Sequence, residues 1–554
     1  MKKMKKLVLS ISIACASQST YALTPWADGT PDIVVYTSGG AAQDQAISQV
    51  VSTTLAASGT LDTFGDIKST TDTAASGSRW QAFYFRGNSN LGAGLAGKKI
   101  ILEKRSSGAA GYGVIPLYAN NGAGIAIEHL NIDGSASSDW TTDGTNKWKT
   151  AITSTNATKF LTKTVSDGGF LGVDPDVLLK PATENYPEQV KELTTNAVEA
   201  GWPLDLAKTP DNFTVVNTGG LVYGVAVTEE LYRVLQAAQI LSGSLSSNAK
   251  IGYYDDASIP SLSRNFLASI LAGKVSNWDQ VKVVDPTLKT AVSLTDPKIL
   301  SVAKVASAPV NSNGHSVIGV GRRNKGAAIG AVAYAKLLNY PGTARANPPA
   351  SDTAAADDLI AEPLVKSPGG ASATDNLLVD WAEGTNVSGL NPKSQKVWGI
   401  AVNSGDRNPG ATVDGATVGK KWRYVKIDGY APTIENVAAG VYPLWAEGSV
   451  LYRTDKASDP QWALKKGLLK AFADDLGSPT VAKAVNKTNT FGLSGIFATT
   501  KDIRGFKASV PFDPTNPVVA LTHNCYGTNT NTTSASIVPV ADESATNGLQ
   551  LQLK

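Results

Sequence analysis

Short runs rich in Val, Ile and Tyr alternate with amphipathic stretches along most of this 554-residue chain. That alternation restricts the fold more than any other feature of the sequence. DIVVYT (32–37), KKIILEKR (98–105), FTVVNT (213–218), GLVYGVAVT (220–228), KIGYY (250–254), HSVIGVG (315–321), KVWGIAV (396–402) and KWRYVKIDG (421–429) have the length and content of strands. Helical spacing runs through 41–58, 187–201, 228–242, 262–273, 327–339 and 460–476. Thr228, before Glu229 and Glu230, is placed to cap the third of these. The alternation predicts an α/β chain with largely parallel sheets. At this length two or more lobes are expected.

The first residues address the compartment. MKKMKK is a basic start, LVLSISIACA is too short an apolar run to span a bilayer, and small residues lead to Ala22. Residues 1–22 therefore read as a secretory signal peptide, with a periplasmic or secreted product. A lipid anchor at Cys15 would normally have Leu or a similar residue at position 12, where Ser12 stands. Removal of the leader would leave Cys525 as the single cysteine, so stability must come from core burial, not cross-links. That cysteine is open to an exposed, intermolecular or buried role. A net charge of +3 gives no reason to expect nucleic acid, and no later apolar run has the length of a membrane span.

The segments 133–159, 341–358 and 366–376 are polar or rich in Pro, Gly, Ala and Ser, and read as surface insertions. The tail from about Gly527 reads as low-complexity. GAGLAG (92–97) matches a dinucleotide fingerprint, but a strand follows it where a helix is needed, so a plain turn is expected. His129, His315 and His523 lack metal-ligand spacing, and no nucleophile motif accompanies them. No catalytic residue, metal or cofactor is expected.

Two segments of the second half are more specific. LSRNFLASILAGKVSNWDQV (262–281) reads as a helix, a Gly273 stop and a Trp-bearing turn. YAPTIENVAAGVYPLWAEGSVLYR (430–453) reads as a helix start at Thr433, a Gly440 stop and Tyr442-Pro443-Leu444 entering a strand. Together with FTVVNTGGLVYGVAVTEEL (213–231), and in this order, they resemble the PstS-like periplasmic phosphate-binding proteins of ABC transporters. The resemblance runs from about Pro31 to about Lys507, with insertions, as in an enlarged and divergent member. It implies a class 2 periplasmic binding protein fold, α/β and two-lobed, closing on a ligand in a central cleft. Lobe 1 would hold 23–215 plus 430–525, lobe 2 would hold 216–429, and 526–554 would be a tail.

The resemblance also implies ligand loops. Ser38, Gly39, Gly40, Ala41 and Ala42 stand at the first, where a strand gives way to a helix and bare N–H groups favour an anion. Ser106 and Ser107 match the Ser/Gly-rich second loop, with Arg105 beside them. At the third, the family's Asp accepts a proton from phosphate. One register puts Gly172 there and another puts Asp174. At the fourth, GRRNKGAAIGAV keeps Arg323 and Gly326, while the hydroxyl positions become Ala327 and Ile329. Arg322 and Lys325 keep that loop cationic.

Each lost charge-assisted hydrogen bond removes roughly 1.5–3 kcal/mol, so two would weaken affinity by orders of magnitude. The expected function is capture of phosphate or a related oxyanion, with an ABC permease as the implied partner. The alternative is a secreted or surface interaction protein with a vestigial cleft. A phosphate-ester hydrolase is the third reading, and the sequence offers it no catalytic constellation.

Overall fold

The computed structural model describes residues 22–67, 79–118, 122–142, 146–173, 175, 213–323, 326–340, 348–415, 419–500 and 506–520. The helix expected at 187–201, Asp174, Lys325, His523, Cys525, the tail and all of the leader but Ala22 lie outside them.

The chain is α/β, and the two halves are built on sheets that share one strand. Phe213–Thr228 is 16 residues long. Its first part pairs antiparallel with Trp445–Arg453. Its last part pairs antiparallel with Trp398–Ser404 and Trp422–Ile427. The two runs expected at 213–218 and 220–228 are thus one strand. The register shift between Asn217 and Gly220 is a bulge, and Gly219 supplies the positive φ of 93° that it needs.

On one side of this strand the order is Trp445–Arg453, Gly168–Leu171, Ile33–Gly39, Lys99–Arg105, Trp80–Arg86, Asp62–Ile67 and Lys147–Ala151. On the other side, Trp398–Ser404 leads to Ile318–Gly321 and Leu364–Lys366. The chain returns from Trp422–Ile427 through the Ile434–Ala438 helix to Trp445–Arg453. Two connections therefore join two α/β lobes. They lie side by side: Tyr223 N–H donates to Leu444 O at 2.9 Å, and Tyr442 Oη donates to Tyr223 O at 2.7 Å.

The sheets are mixed, not largely parallel. Ile33–Gly39 is parallel to both neighbours, and Ile318–Gly321 is parallel to both of its own. The strands from Asp62 to Arg105 instead meander antiparallel. The turn at Gly92–Gly97 between two of them is a plain turn.

Alternation along Ile33–Gly39 buries both faces. Ile33 and Val35 join Phe83, Phe85, Ile100 and Leu102 under helices that contribute Ile47, Val50, Leu468 and Phe472. The opposite face packs Phe64, Tyr84 and Ile101 against Leu130, Trp140, Ile152 and Phe160. Much of that second layer comes from 133–159, which is no surface insertion. Lys147–Ala151 extends the sheet, and Trp140 and Trp148 ring Phe64 at 5.1 and 6.3 Å. Burying such a side chain contributes about 1.5–3 kcal/mol, enough to order a polar, turn-rich stretch.

Two further expectations change. KIGYY is a turn, because Gly252 takes φ 85° and Tyr254 buries its ring on Tyr232 and Phe491 without sheet pairing. The segment 366–376 ends a strand and opens the Ala371–Glu383 helix, whose buried face includes Leu377, Leu378 and Trp381. Thr228 does precede the Glu229–Ser242 helix, yet its hydroxyl accepts from Gly399 N–H at 3.3 Å and makes no cap bond. Among the described residues no helix is long and apolar enough to cross a membrane.

Candidate functional site

The ends of the parallel strands meet between the lobes, which is where ligands bind in open α/β sheets. The Ile33–Gly39 strand ends at the expected first loop and turns through Ala41–Gln43 into the Asp44–Val50 helix. Its glycines admit other backbone. A Cβ on Gly39 would sit 1.9 Å from Phe170 O, and Gly40 N–H donates to that same oxygen at 3.2 Å. A Cβ on Gly169 would sit 1.7 Å from Gly113 O. Three segments of the first lobe therefore pack main chain on main chain.

The Ser38 and Ser106 hydroxyls have partners within the protein. Ser38 Oγ donates to Tyr112 O at 2.7 Å and lies 2.8 Å from Ser166 Oγ. Ser106 Oγ donates to the Asp44 carboxylate at 2.9 and 3.1 Å. Ser106 and Ser107 N–H both donate to Arg79 O. Arg105 turns away from Ser106, donating to Glu128 O and lying over the Tyr112 ring at 4.7 Å. Ala41 is exposed and Ala42 is half-buried.

The central first-lobe group is one that sequence reading missed. Lys104 Nζ is buried and donates to Gly39 O at 3.1 Å, Gly40 O at 3.3 Å and Ser106 Oγ at 2.7 Å. It pairs with Asp44 Oδ1 at 3.0 Å. Desolvation pulls its amine below the ordinary lysine value, and Asp44 opposes that. One cation thus ties the first loop to the second. The available signal was the charged triplet Glu103-Lys104-Arg105 at the C-terminal end of an apolar strand.

On the other face of the same strands, His129 Nε2 lies 3.2 Å from Ser166 Oγ. Burial, with Arg105 adding to it, holds the imidazole down at about 3, so it is neutral.

The second lobe presents a different picture. Arg322 Nε donates to Asp352 Oδ1 at 3.2 Å and to Ser367 Oγ at 3.3 Å. Arg323 is 6% exposed. Its Nε donates to Pro368 O at 3.1 Å, and its Nη1 has no partner among the described residues. Burial draws its pKa down to about 10, with Tyr223 opposing, Arg407 reinforcing and Asp375 opposing. Tyr223 Oη donates to Gly172 O at 2.7 Å, so the arginine faces the junction of the lobes.

Across that junction Gly111 N–H donates to Gly326 O at 3.1 Å. A Cβ on Gly172 would lie 3.1 Å from the Ala42 methyl and 3.3 Å from that of Ala328. Gly326 and Ala327 are both buried there. The structure so brings together the first loop, Gly172, Arg323, Gly326 and Ala327, while Asp174 lies outside the described residues. Ser106 joins the first loop through Lys104 and Asp44, while Ser107 N–H is tied to Arg79 O.

Beyond Arg323 stands a charge cluster around the buried Asp375. Asp375 accepts from Asn403 Nδ2 at 2.8 Å and pairs with Lys420 and with Arg407, the latter at 3.7 Å. Arg407 also donates to Ser372 Oγ at 2.9 Å. Among the described residues no group of three His, Cys, Asp or Glu could hold a metal. A surface groove of about 440 Å³, lined by Leu235, Phe266 and Val281, involves none of these loops.

No protein-family model matches the chain, and no curated protein does. Solved structures do. A high-affinity periplasmic phosphate-binding protein (PfluDING) bound with phosphate is 11% identical, with 81% of this chain and 88% of that one covered and a TM-score of 0.33. A phosphate-binding protein from Stenotrophomonas maltophilia is 10% identical, with 70% and 92% covered and a TM-score of 0.29. An ABC-type phosphate transport receptor from Vibrio cholerae is 15% identical, with 48% and 70% covered and a TM-score of 0.23. Scores at this level carry nothing over to individual residues.

Proposed function

We propose that this chain is an exported, non-catalytic binding protein that captures phosphate or another small tetrahedral oxyanion between its lobes. The observation that carries the reading is Arg323 Nη1. A guanidinium is always charged, and a buried charge with an empty donor is costly unless something pairs with it. An oxyanion arriving between Arg323 and the first loop removes that cost, and the two side-by-side connections let the lobes part to admit it. The leader-like start supports export to the periplasm or beyond. An ABC permease is the partner that the sequence resemblance suggests.

One observation favours the alternative, an interaction protein with a vestigial cleft. The Ser38 and Ser106 hydroxyls are spent internally, and Gly172 stands against Ala42 and Ala328. Calorimetric titration of the leader-free protein separates the two. Sodium phosphate and sodium sulfate are each titrated into the parent and into Arg323→Ala. Micromolar or tighter binding of either anion, lost in the variant, is expected. Absence of heat with both anions would discard oxyanion capture and leave the interaction reading.

A further inference from the structure

A hairpin of Lys487–Asn489 and Gly492–Ser494 follows the Pro479–Val485 helix and runs from one lobe to the other. Val481 and Val485 of that helix belong to the first-lobe core with Ile47 and Val50. Asn486 then pins the chain at its foot. Its Nδ2 donates to Ile496 O at 2.8 Å, and its Oδ1 accepts from Ile496 N–H at 2.7 Å. At the tip, Phe491 is buried among second-lobe rings, with centroids 5.4 Å from Tyr254 and 6.2 Å from Tyr424. Asn408 Nδ2 donates to Thr488 O at 3.3 Å on the same side.

We propose that this hairpin is a releasable strap across the lobes, with Phe491 as its buckle. While the ring is seated, Tyr254 and Tyr424 are tied to the first-lobe helix that carries the foot. Once it leaves, only the connections at the junction set the angle between the lobes.

That the strap releases follows from its underside. Asn489, Gly492 and Ser494 share one face of the hairpin, because Asn489 pairs with Gly492 and side chains alternate along each strand. That face is turned inward: Asn489 and Ser494 are buried, and a Cβ on Gly405 would lie 2.5 Å from Ser494 Oγ. Yet Ser494 Oγ, Thr490 Oγ1 and both amide atoms of Asn489 have no partner among the described residues. Lifting the hairpin breaks no protein bond of these groups and opens them to solvent, which favours their exposure. Burial of the Phe491 ring, with the Asn408 bond, holds the strap against that pull. The foot can pivot. Gly495 takes φ 132°, and a Cβ there would lie 2.4 Å from Asn486 Oδ1.

The test uses the whole leader-free chain, its Phe491→Ala variant and its Asn489→Leu variant. Hydrogen–deuterium exchange read by mass spectrometry follows 487–494, and small-angle X-ray scattering follows the spread of the lobes. In Phe491→Ala the hairpin should exchange about ten-fold faster or more, while the Asp44–Val50 and Glu229–Ser242 helices keep the parent's protection. The radius of gyration should rise with it. Asn489→Leu removes the polar underside at one position and should slow the hairpin's exchange. Parent-like hairpin exchange in Phe491→Ala would overturn the buckle. A loosened hairpin with an unchanged radius of gyration would overturn the strap, since it would then tie nothing across the lobes. Should Phe491→Ala unfold outright, Asn489→Leu decides: exchange as fast as the parent's, or faster, refutes the proposal.

Discussion

Removing the Lys104 amine should cost the first lobe more than removing almost any other single polar group. In Lys104→Met the stem is kept, so packing changes little, but Gly39 O, Gly40 O and Ser106 Oγ each lose a donor and Asp44 loses its counter-charge. Breaking a buried pair by deleting one partner costs about 3–5 kcal/mol. The Asp44 side chain is 16% exposed, so water relieves part of its loss, and about 3 kcal/mol is expected. Asp44→Leu should show a comparable loss through the stranded lysine. The double variant should lose about 2 kcal/mol less than the sum, because neither charge is then left unpaired. Urea unfolding of the parent, both single variants and the double variant, followed by tryptophan fluorescence and far-UV circular dichroism, measures this. A Lys104→Met loss below 1 kcal/mol, or strict additivity, would refute the view that this pair fastens the two loops together.

Other expectations concern titration and space. His129 is held at about 3 against an ordinary 6.5, so the unfolded chain takes up its proton first as pH falls. Stability should therefore drop by about 2 kcal/mol between pH 7 and pH 5, and His129→Gln should remove that part of the slope. The Glu362 carboxyl is drawn down to about 2 by Asn277 and Asn311, with His315 and Asn313 adding to them. Its contribution is complete above the ordinary glutamate range and lost as pH falls through about 2, and carboxyl-detected NMR should show that midpoint. Gly169→Ala forces a methyl onto Gly113 O, and a loss of about 3 kcal/mol in unfolding free energy is expected; a neutral result would mean that the loop packing is slack.

Much of the framework was legible because both periodicities are strong. Ile33–Gly39, Lys99–Arg105, Glu229–Ser242 and Trp462–Leu476 stand where alternation and helical spacing put them. The errors have physical causes. KIGYY is apolar because Tyr254 is buried by tertiary contacts, and burial without pairing looks like a strand in a sequence. The helix at Ala371 opens on small and polar residues, and its apolar face begins only at Leu377, so its first turn resembled a loop.

The site was legible by residue type but not by partnership. Nothing local in the sequence reveals that Ser38 meets Ser166, 128 positions away, or that Lys104 reaches Asp44. Two adjacent arginines looked alike, yet Asp352 takes Arg322 Nε while Arg323 Nη1 has no partner among the described residues. Such assignments depend on contacts between distant segments, which composition and spacing do not encode.

The bulged strand that joins the lobes has a mechanical consequence. A flexure made of two parallel ribbons bends about one axis and resists twisting, so the lobes should part like a clamshell and not rotate past each other. A third ribbon lies on it: Gly220 pairs with Phe497, and a Cβ on Gly220 would strike the Phe497 ring at 2.0 Å. That ring works as a splint at the fold line. On the capture reading proposed above, the residues near Phe497, remote in sequence from every cation of the cleft, should set the tempo of its opening.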